Sequence, residues 1–346
     1  MSEAALGQAL VGEPLSRHTS LELGGPARLF VHVEDLELLA PLLLEARHQE
    51  LRVAILGGGS NLVVSDRGFD GLVIAIRNRG VTLVREGDRV LVEAAAGEPW
   101  DPFVGRMVAA NLAGLECLSG IPGLVGGAPI QNIGAYGQDV SETITKVRAL
   151  DRQTLEMVEI SAGDCRFEYR NSAFKLEPER YIVLSVVFAL REGAAPKVSY
   201  AELERALEDG PRTLASVRDA VIALRRRKSM VIDPDDPNRR SAGSFFTNPI
   251  VEREVADALA GKHPAMPRWE QRDGRTKLAA GWLIEQSGMK KGTKRGPVGI
   301  STVHALALVH HGGGTTRELL ALAEEVRAQV RARFDVELEL EPMLWS

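Results

Sequence analysis

The feature that most constrains this chain is a glycine-rich run in apolar surroundings, GLECLSGIPGLVGGAPIQNIGAYG at 114–137. Glycine costs a helix interior about 1 kcal/mol relative to alanine, so the run cannot form one long helix. It is also too apolar for a solvated linker. Gly114, Gly120, Gly123, Gly126, Gly127, Gly134 and Gly137 leave the backbone bare, and Ser119, Gln131 and Asn132 add small polar groups. Backbone of this kind is suited to pass close to something flat or anionic. The plain alternative is a structural loop packed under a sheet.

A second glycine turn bears on that choice. GGGSN places Gly57, Gly58, Gly59, Ser60 and Asn61 between two apolar stretches. Three glycines permit a tight turn whose N–H groups face phosphate oxygens. Alone, it reads as an ordinary turn between strands, because the dinucleotide fingerprint GxGxxG opens a helix. Here the turn leads into LVVS, which reads as extended, and there is no GxxxxGK[ST] loop. Taken together, the two segments favour a cofactor. They can wrap a pyrophosphate and hydrogen-bond the edge of an isoalloxazine ring.

The flanking patterns are α/β. ARLFVHV (27–33) and LVIAIRN (72–78) predict strands, and 35–50 predicts a helix with Asp35 as its cap. Residues 81–97 predict a hairpin turning at 86–88, followed by a helix from Trp100 to Asn111. Strands are expected near 147–150, 156–160 and 181–190. Helices are expected at 212–229, 251–261, 277–288 and 315–334, with a strand at 336–344 whose Glu339 and Glu341 share one face. At 346 residues, the chain has room for two or three domains.

A net charge of −5 gives no support for a nucleic-acid partner, which needs a basic surface. The two cysteines, Cys117 and Cys165, form no CxxC pair, and His310-His311 has no partners at metal spacing, so no metal is expected. The N-terminal residues show no signal peptide, and the longest apolar stretches are too short for a spanning helix. A cytoplasmic protein with no membrane partner is the expectation.

Two short motifs carry side chains of chemical interest. YRNSAFK (169–175) presents Arg170, whose guanidinium could fork onto a carboxylate or stabilise an enolate. SAGSFFTNP (241–249) sets Ser244 on a turn beside two phenylalanines, where a hydroxyl could act as a positioned proton donor. It does not match GxSxG, so no hydrolase elbow is indicated. Taken singly, an exposed arginine and a turn serine explain these residues as well.

Together the motifs resemble one family, the UDP-N-acetylenolpyruvoylglucosamine reductases. The matching pieces are TSLELGGPARLF (19–30), LGGGSNLVVSD (56–66), GIPGLVGGAPIQNIGAYG (120–137), YRNSAFK (169–175), AGSFFTNP (242–249), KLAAGWLIEQ (277–286), VHALALVH (303–310) and VELELEP (336–342). They span nearly the whole chain. The resemblance implies an α/β (α+β) fold with a two-part FAD module of the vanillyl-alcohol-oxidase type and a smaller α+β substrate-binding domain. The implied parts are residues 1–78 joined by a C-terminal strand at 335–346, residues 79–212, and a substrate domain at 213–334.

The resemblance also implies non-covalent FAD, NADPH as hydride donor, and reduction of enolpyruvyl-UDP-GlcNAc to UDP-N-acetylmuramate by a monomer. Cofactor contacts are expected from Gly57, Gly58, Gly59, Ser60, Asn61, Ser119, Gly120, Gly123, Gly126, Gly127, Gln131, Asn132, Gly134 and Tyr136. Ser244 is similar to the family's general acid, and Arg170 and Glu341 to the pair that polarises the enolpyruvyl group. Tyr200 and Lys228 match residues holding the diphosphate, and Tyr200 marks the subtype with a tyrosine-bearing loop. Asn248 and Lys277 match further substrate contacts. Asn171, Thr247 and Met343 depart from the aspartate, lysine and arginine common at those positions. Two other readings stay open: a flavin oxidoreductase of the same fold acting on a small alcohol or hydroxy acid, and a non-enzymatic nucleotide-binding module.

Overall fold

In the computed structural model, residues 6–7, 9–271 and 273–346 are described. The chain forms two compact units. The first holds Ala27–Gly59 and Phe69–Ile232 with the N-terminal stretch up to Glu13; the second holds Pro14–Pro26, Ser60–Gly68 and Asp233–Ser346.

The first unit contains two large sheets and, among the described residues, the short pairing of Gly134–Ala135 with Gln138–Asp139. One large sheet has four strands in the order Leu10–Pro14, Pro26–Val33, Phe69–Ile76, Arg52–Leu56. Phe69–Ile76 runs parallel to both of its neighbours, and helix Leu39–His48 lies in the connection between Pro26–Val33 and Arg52–Leu56. Asp35 accepts from Glu37 N–H at 3.0 Å and caps the 3₁₀ turn that leads into this helix.

The other sheet is antiparallel, in the order Met157–Ser161, Ile144–Asp151, Tyr181–Glu192, Arg89–Ala95, Val81–Glu86. The hairpin of Val81–Glu86 and Arg89–Ala95 closes with Glu86 opposite Arg89. Strand Tyr181–Glu192 is buried along most of its length, as its continuous apolar sequence requires. Helix Trp100–Ala109 packs Trp100 and Phe103 onto Phe188 of this sheet, with ring centroids 6.1 and 5.4 Å apart.

The second unit has its own core, built around Phe245, Leu283, Ile284, Leu308, Leu322 and Val326. Helix Thr316–Phe334 begins in a capping box between Thr315 and Glu318. Strand Met343–Trp345 pairs in parallel with Leu62–Val64, so the C-terminus joins an early segment of the chain.

Two sequence expectations change here. The helix expected at 277–288 is shorter, Ala280–Gln286, because Thr276–Leu278 is the central strand of a three-stranded sheet. The strand expected at 336–344 is regular only over Met343–Trp345. Before it, Val336 and Leu338 enter the core, Glu339 is exposed, and Glu341 is 9% exposed, so the two glutamates do not share an environment.

Candidate functional site

The glycine segments meet main chain to main chain. A Cβ on Gly58 would lie 2.6 Å from Gly123 Cα, 3.1 Å from Gly123 C and 3.3 Å from Leu124 N, an approach open only to glycine. On the other side, a Cβ on Gly57 or Gly127 would meet nothing within 4 Å. Among the described residues, the N–H groups of Gly58, Gly59, Gly123 and Leu124 have no acceptor. Backbone donors left unpaired and grouped in this way form an anion-binding nest.

The frame around the nest is fully bonded. Gly120 N–H donates to Asp101 Oδ1 at 2.6 Å, Val125 N–H to Glu98 O at 2.9 Å and Gly126 N–H to Ala96 O at 2.9 Å. Asp101 also takes a bidentate pair from Arg218, at 2.6 and 2.8 Å. Burial alone would raise its carboxyl, but these bonds reverse that and hold it below the usual carboxylate range. Ser119 Oγ donates to Glu116 O at 2.7 Å. Asn132 donates to Glu168 O at 3.1 Å and accepts from Ser141 N–H at 3.1 Å. The side chains of Ser119 and Asn132 therefore hold the loop, and bare backbone is what the turns offer a ligand. Gln131 is half-buried, and a Cβ on Gly134 would collide with the Asp139 carboxyl. Ser60 and Asn61, at the end of the first turn, fall in the second unit.

Arg170 sits at the tip of a tight turn closed by Glu168 and Asn171, with a left-handed φ of 54°. Its guanidinium donates to Gly134 O at 2.7 Å and Asn132 O at 3.3 Å, and Lys175 Nζ donates to Arg170 O at 3.0 Å. Glycine run and arginine motif are thus joined.

A second grouping in the same unit gathers Tyr136, Tyr200 and Lys228. The rings of Tyr136 and Tyr200 meet edge to face at 5.5 Å, and Lys228 Nζ lies 5.7 Å from the Tyr136 centroid. Lys228 also pairs with Glu202 at 2.5 Å. Burial pushes the Tyr136 phenol up to about 12 and raises that of Tyr200, so both are neutral hydroxyls at neutral pH. Tyr136, expected among the cofactor contacts, thus stands with the two residues expected at the diphosphate.

Sequence reasoning missed Arg225, for which it gave no role beyond a place in the helix expected at 212–229 and found at Leu214–Arg227. Its Nη2 donates to Met230 O at 2.6 Å, while its Nε is buried without a partner beside Gly120. Burial lowers the guanidinium to about 10. Asp101 was missed as well. A carboxylate in the first turn of a helix that precedes the glycine run was its one signal.

In the second unit, Ser244 follows Gly243, whose φ is 73°. The segment is fixed by Phe245 N–H to Leu306 O at 2.7 Å and by Ser20 Oγ to Ser241 O at 2.6 Å. Phe246 and Leu340 form an antiparallel bridge, and Glu341 N–H donates to Phe245 O at 3.0 Å. The backbone of Glu341 therefore lies against the residue next to Ser244. Asn61 Nδ2 donates to Glu341 O at 3.3 Å. Ser244 is half-buried, and its hydroxyl has no partner among the described residues. Asn248 Oδ1 accepts from Ala280 N–H at 3.0 Å and holds the start of helix Ala280–Gln286, while Lys277 Nζ lies 5.9 Å from the Trp269 ring. His310 bridges Leu21 O and Gly314 N–H at 3.1 Å each.

Among the described residues, no group of three His, Cys, Asp or Glu side chains is placed to hold a metal, and no helix is long and apolar enough to cross a membrane. The nest of free N–H donors against bare glycine backbone fits a dinucleotide such as FAD, whose diphosphate needs donors without bulk.

Comparison with known proteins agrees. Residues 27–161 match the FAD binding domain family, and residues 235–345 match the UDP-N-acetylenolpyruvoylglucosamine reductase C-terminal domain. The UDP-N-acetylenolpyruvoylglucosamine reductase of Streptomyces avermitilis is 48% identical over 97% of this chain and 94% of its own length. That of Thermobifida fusca is 47% identical, covering 96% of each. The crystal structure of the enzyme from Thermus caldophilus superposes with a TM-score of 0.67 at 25% identity, over 98% of each chain. With its glycine nest, its AGSFF turn and its returning C-terminal strand, the chain belongs to the UDP-N-acetylenolpyruvoylglucosamine reductase family.

Proposed function

We propose that this protein reduces the enolpyruvyl ether of enolpyruvyl-UDP-GlcNAc to UDP-N-acetylmuramate, in peptidoglycan precursor synthesis. The glycine turns at 57–59 and 120–127 would hold FAD without a covalent link, and the cofactor would supply the hydride chemistry between NADPH and the carbon–carbon double bond. The chain must then supply a proton and stabilise charge on the carboxylate side of that bond. Ser244 Oγ is the proton donor to the carbon next to the carboxylate. Arg170 and Glu341 polarise the enolpyruvyl group and hold the enol-like state.

Asn248 and Lys277 add further substrate contacts. Tyr200 and Lys228 hold the UDP diphosphate, a role that suits a neutral phenol and an ammonium gathered in one cluster. Residues 1–78 with 335–346 and residues 79–212 form the two parts of the cofactor module, and 213–334 cover the substrate. The working unit is a monomer, placed in the cytoplasm where UDP-sugars and NADPH are made.

The observation that carries this reading is the Phe246–Leu340 bridge. It sets the uncommitted Ser244 hydroxyl in a segment bonded to the backbone of Glu341, although the two are remote in sequence. An anaerobic two-step assay tests it. NADPH should bleach the bound flavin, and enolpyruvyl-UDP-GlcNAc should restore the colour. Restoration by oxygen alone, with no response to the UDP-sugar, overturns the proposal.

A further inference from the structure

We infer that Arg77 is a positioning residue for the cofactor diphosphate, acting by locking the first peptide of the GGGSN turn; this rests on the FAD reading of the nest. Arg77 follows directly on strand Phe69–Ile76. Its Nη1 donates to Gly57 O at 3.1 Å and to Ile76 O at 2.7 Å. A peptide bond is planar, and in its trans form the C=O of one residue and the N–H of the next point in opposite directions. The chain has no cis peptide among the described residues. Holding Gly57 O toward the guanidinium therefore turns Gly58 N–H away from it, to the side where that N–H has no protein acceptor. Free glycine would let this peptide flip, since Gly57 and Gly58 carry no side chain to bias it.

The charge of Arg77 supports the same role. Among the described residues no carboxylate pairs with it. Burial lowers its guanidinium, and the nearby Arg79 lowers it further. Arg79 is itself tied to Gly97 O, and Asn78 holds Gly97 N–H at 3.0 Å and Leu184 O at 2.9 Å. The strap 77–79 thus fastens the first glycine turn to the segment from which Ala96 and Glu98 bond Gly126 and Val125. A cation with no carboxylate partner among the described residues, bonded to a peptide of an anion nest, strengthens the field that the N–H groups present to a diphosphate.

The test uses full-length wild type, Arg77→Gln and Arg77→Lys, each freed of flavin and titrated with FAD and, separately, with ADP, which shares the adenosine and diphosphate of FAD but lacks the flavin. Losing one oriented donor and one charge should weaken FAD and ADP alike in Arg77→Gln, by about 10- to 100-fold. Arg77→Lys keeps the charge on a flexible stem and should lose affinity for both by about two- to tenfold, so it serves even if the glutamine variant fails to fold. Unchanged affinities in either folded variant, or a loss for FAD with ADP unaffected, overturn the inference. A wild-type chain that binds neither FAD nor ADP refutes the FAD reading itself.

Discussion

Gly58→Ala tests whether the two glycine turns must touch. The added methyl would sit 2.6 Å from Gly123 Cα, where carbon atoms at optimal contact stand about 3.5–4.0 Å apart. Every near atom is backbone, so no side chain can swing aside, and the turns must separate by roughly 1 Å. Overpacking of this kind costs about 1–3 kcal/mol. For domains of about 150–250 residues that lowers Tm by about 2–12 °C.

The effect on cofactor should be larger than the effect on folding. Moving a donor by about 1 Å takes a hydrogen bond of about 2.9 Å beyond useful range. One lost bond to a charged phosphate weakens FAD by about 10- to 100-fold. Gly57→Ala is the matched control: the same methyl, one residue earlier, meets nothing within 4 Å and should leave stability within about 0.5 kcal/mol. Thermal melts of the flavin-free chains and fluorescence titration with FAD read the two effects. Wild-type Tm and wild-type FAD affinity in Gly58→Ala would refute the argument, as would an equal loss of Tm in Gly57→Ala.

Three further predictions concern the proposed roles. Ser244→Ala should bind FAD and bleach with NADPH at close to the normal rate, while return of the flavin band near about 450 nm on adding the UDP-sugar slows by about 10²–10⁴-fold; equal slowing of both steps would make the serine an organiser of the pocket. Tyr200→Phe and Lys228→Ala should raise KM for the UDP-sugar more than they lower kcat, and a collapse of kcat at fixed KM would place them in the chemistry instead. Asp101→Asn should cost about 1–3 kcal/mol by weakening the bond to Gly120 and the Arg218 pair. Because its folded-state carboxyl is held low, its stabilisation is complete above the unfolded value of about 3.9 and is lost as pH falls through the folded value. Urea unfolding from pH 7 to pH 3 should show a smaller acid loss in Asp101→Asn than in wild type, and an identical loss would contradict the assignment.

Much of the fold follows from local pattern. The hairpin at 81–97, the helix from Trp100 and the long helix ending at Phe334 stand where periodicity and turn residues put them, because each is stabilised by contacts close in sequence. The glycine run was legible for a different reason: bare backbone in apolar surroundings is suited to close approach, and AGSFF was legible through the family resemblance. Where tertiary contacts compete with local pattern, the reading slipped. The stretch from Thr276 pairs as a strand before its helix starts, and the alternation of VELELEP ends once Leu340 bridges to Phe246.

What the sequence determined by itself is the family and the cofactor class, since these rest on motifs read along the chain. Tertiary structure decided which residues meet. Gly58 lies against Gly123, Tyr136 joins Tyr200 and Lys228, and Glu341 is bonded beside Ser244, all between segments that no spacing rule connects. It also decided which charges are buried. Nothing in the sequence marks Arg77 and Arg225 as desolvated, yet burial lowers both, because desolvation depends on what the rest of the fold packs around a group and not on its neighbours in sequence.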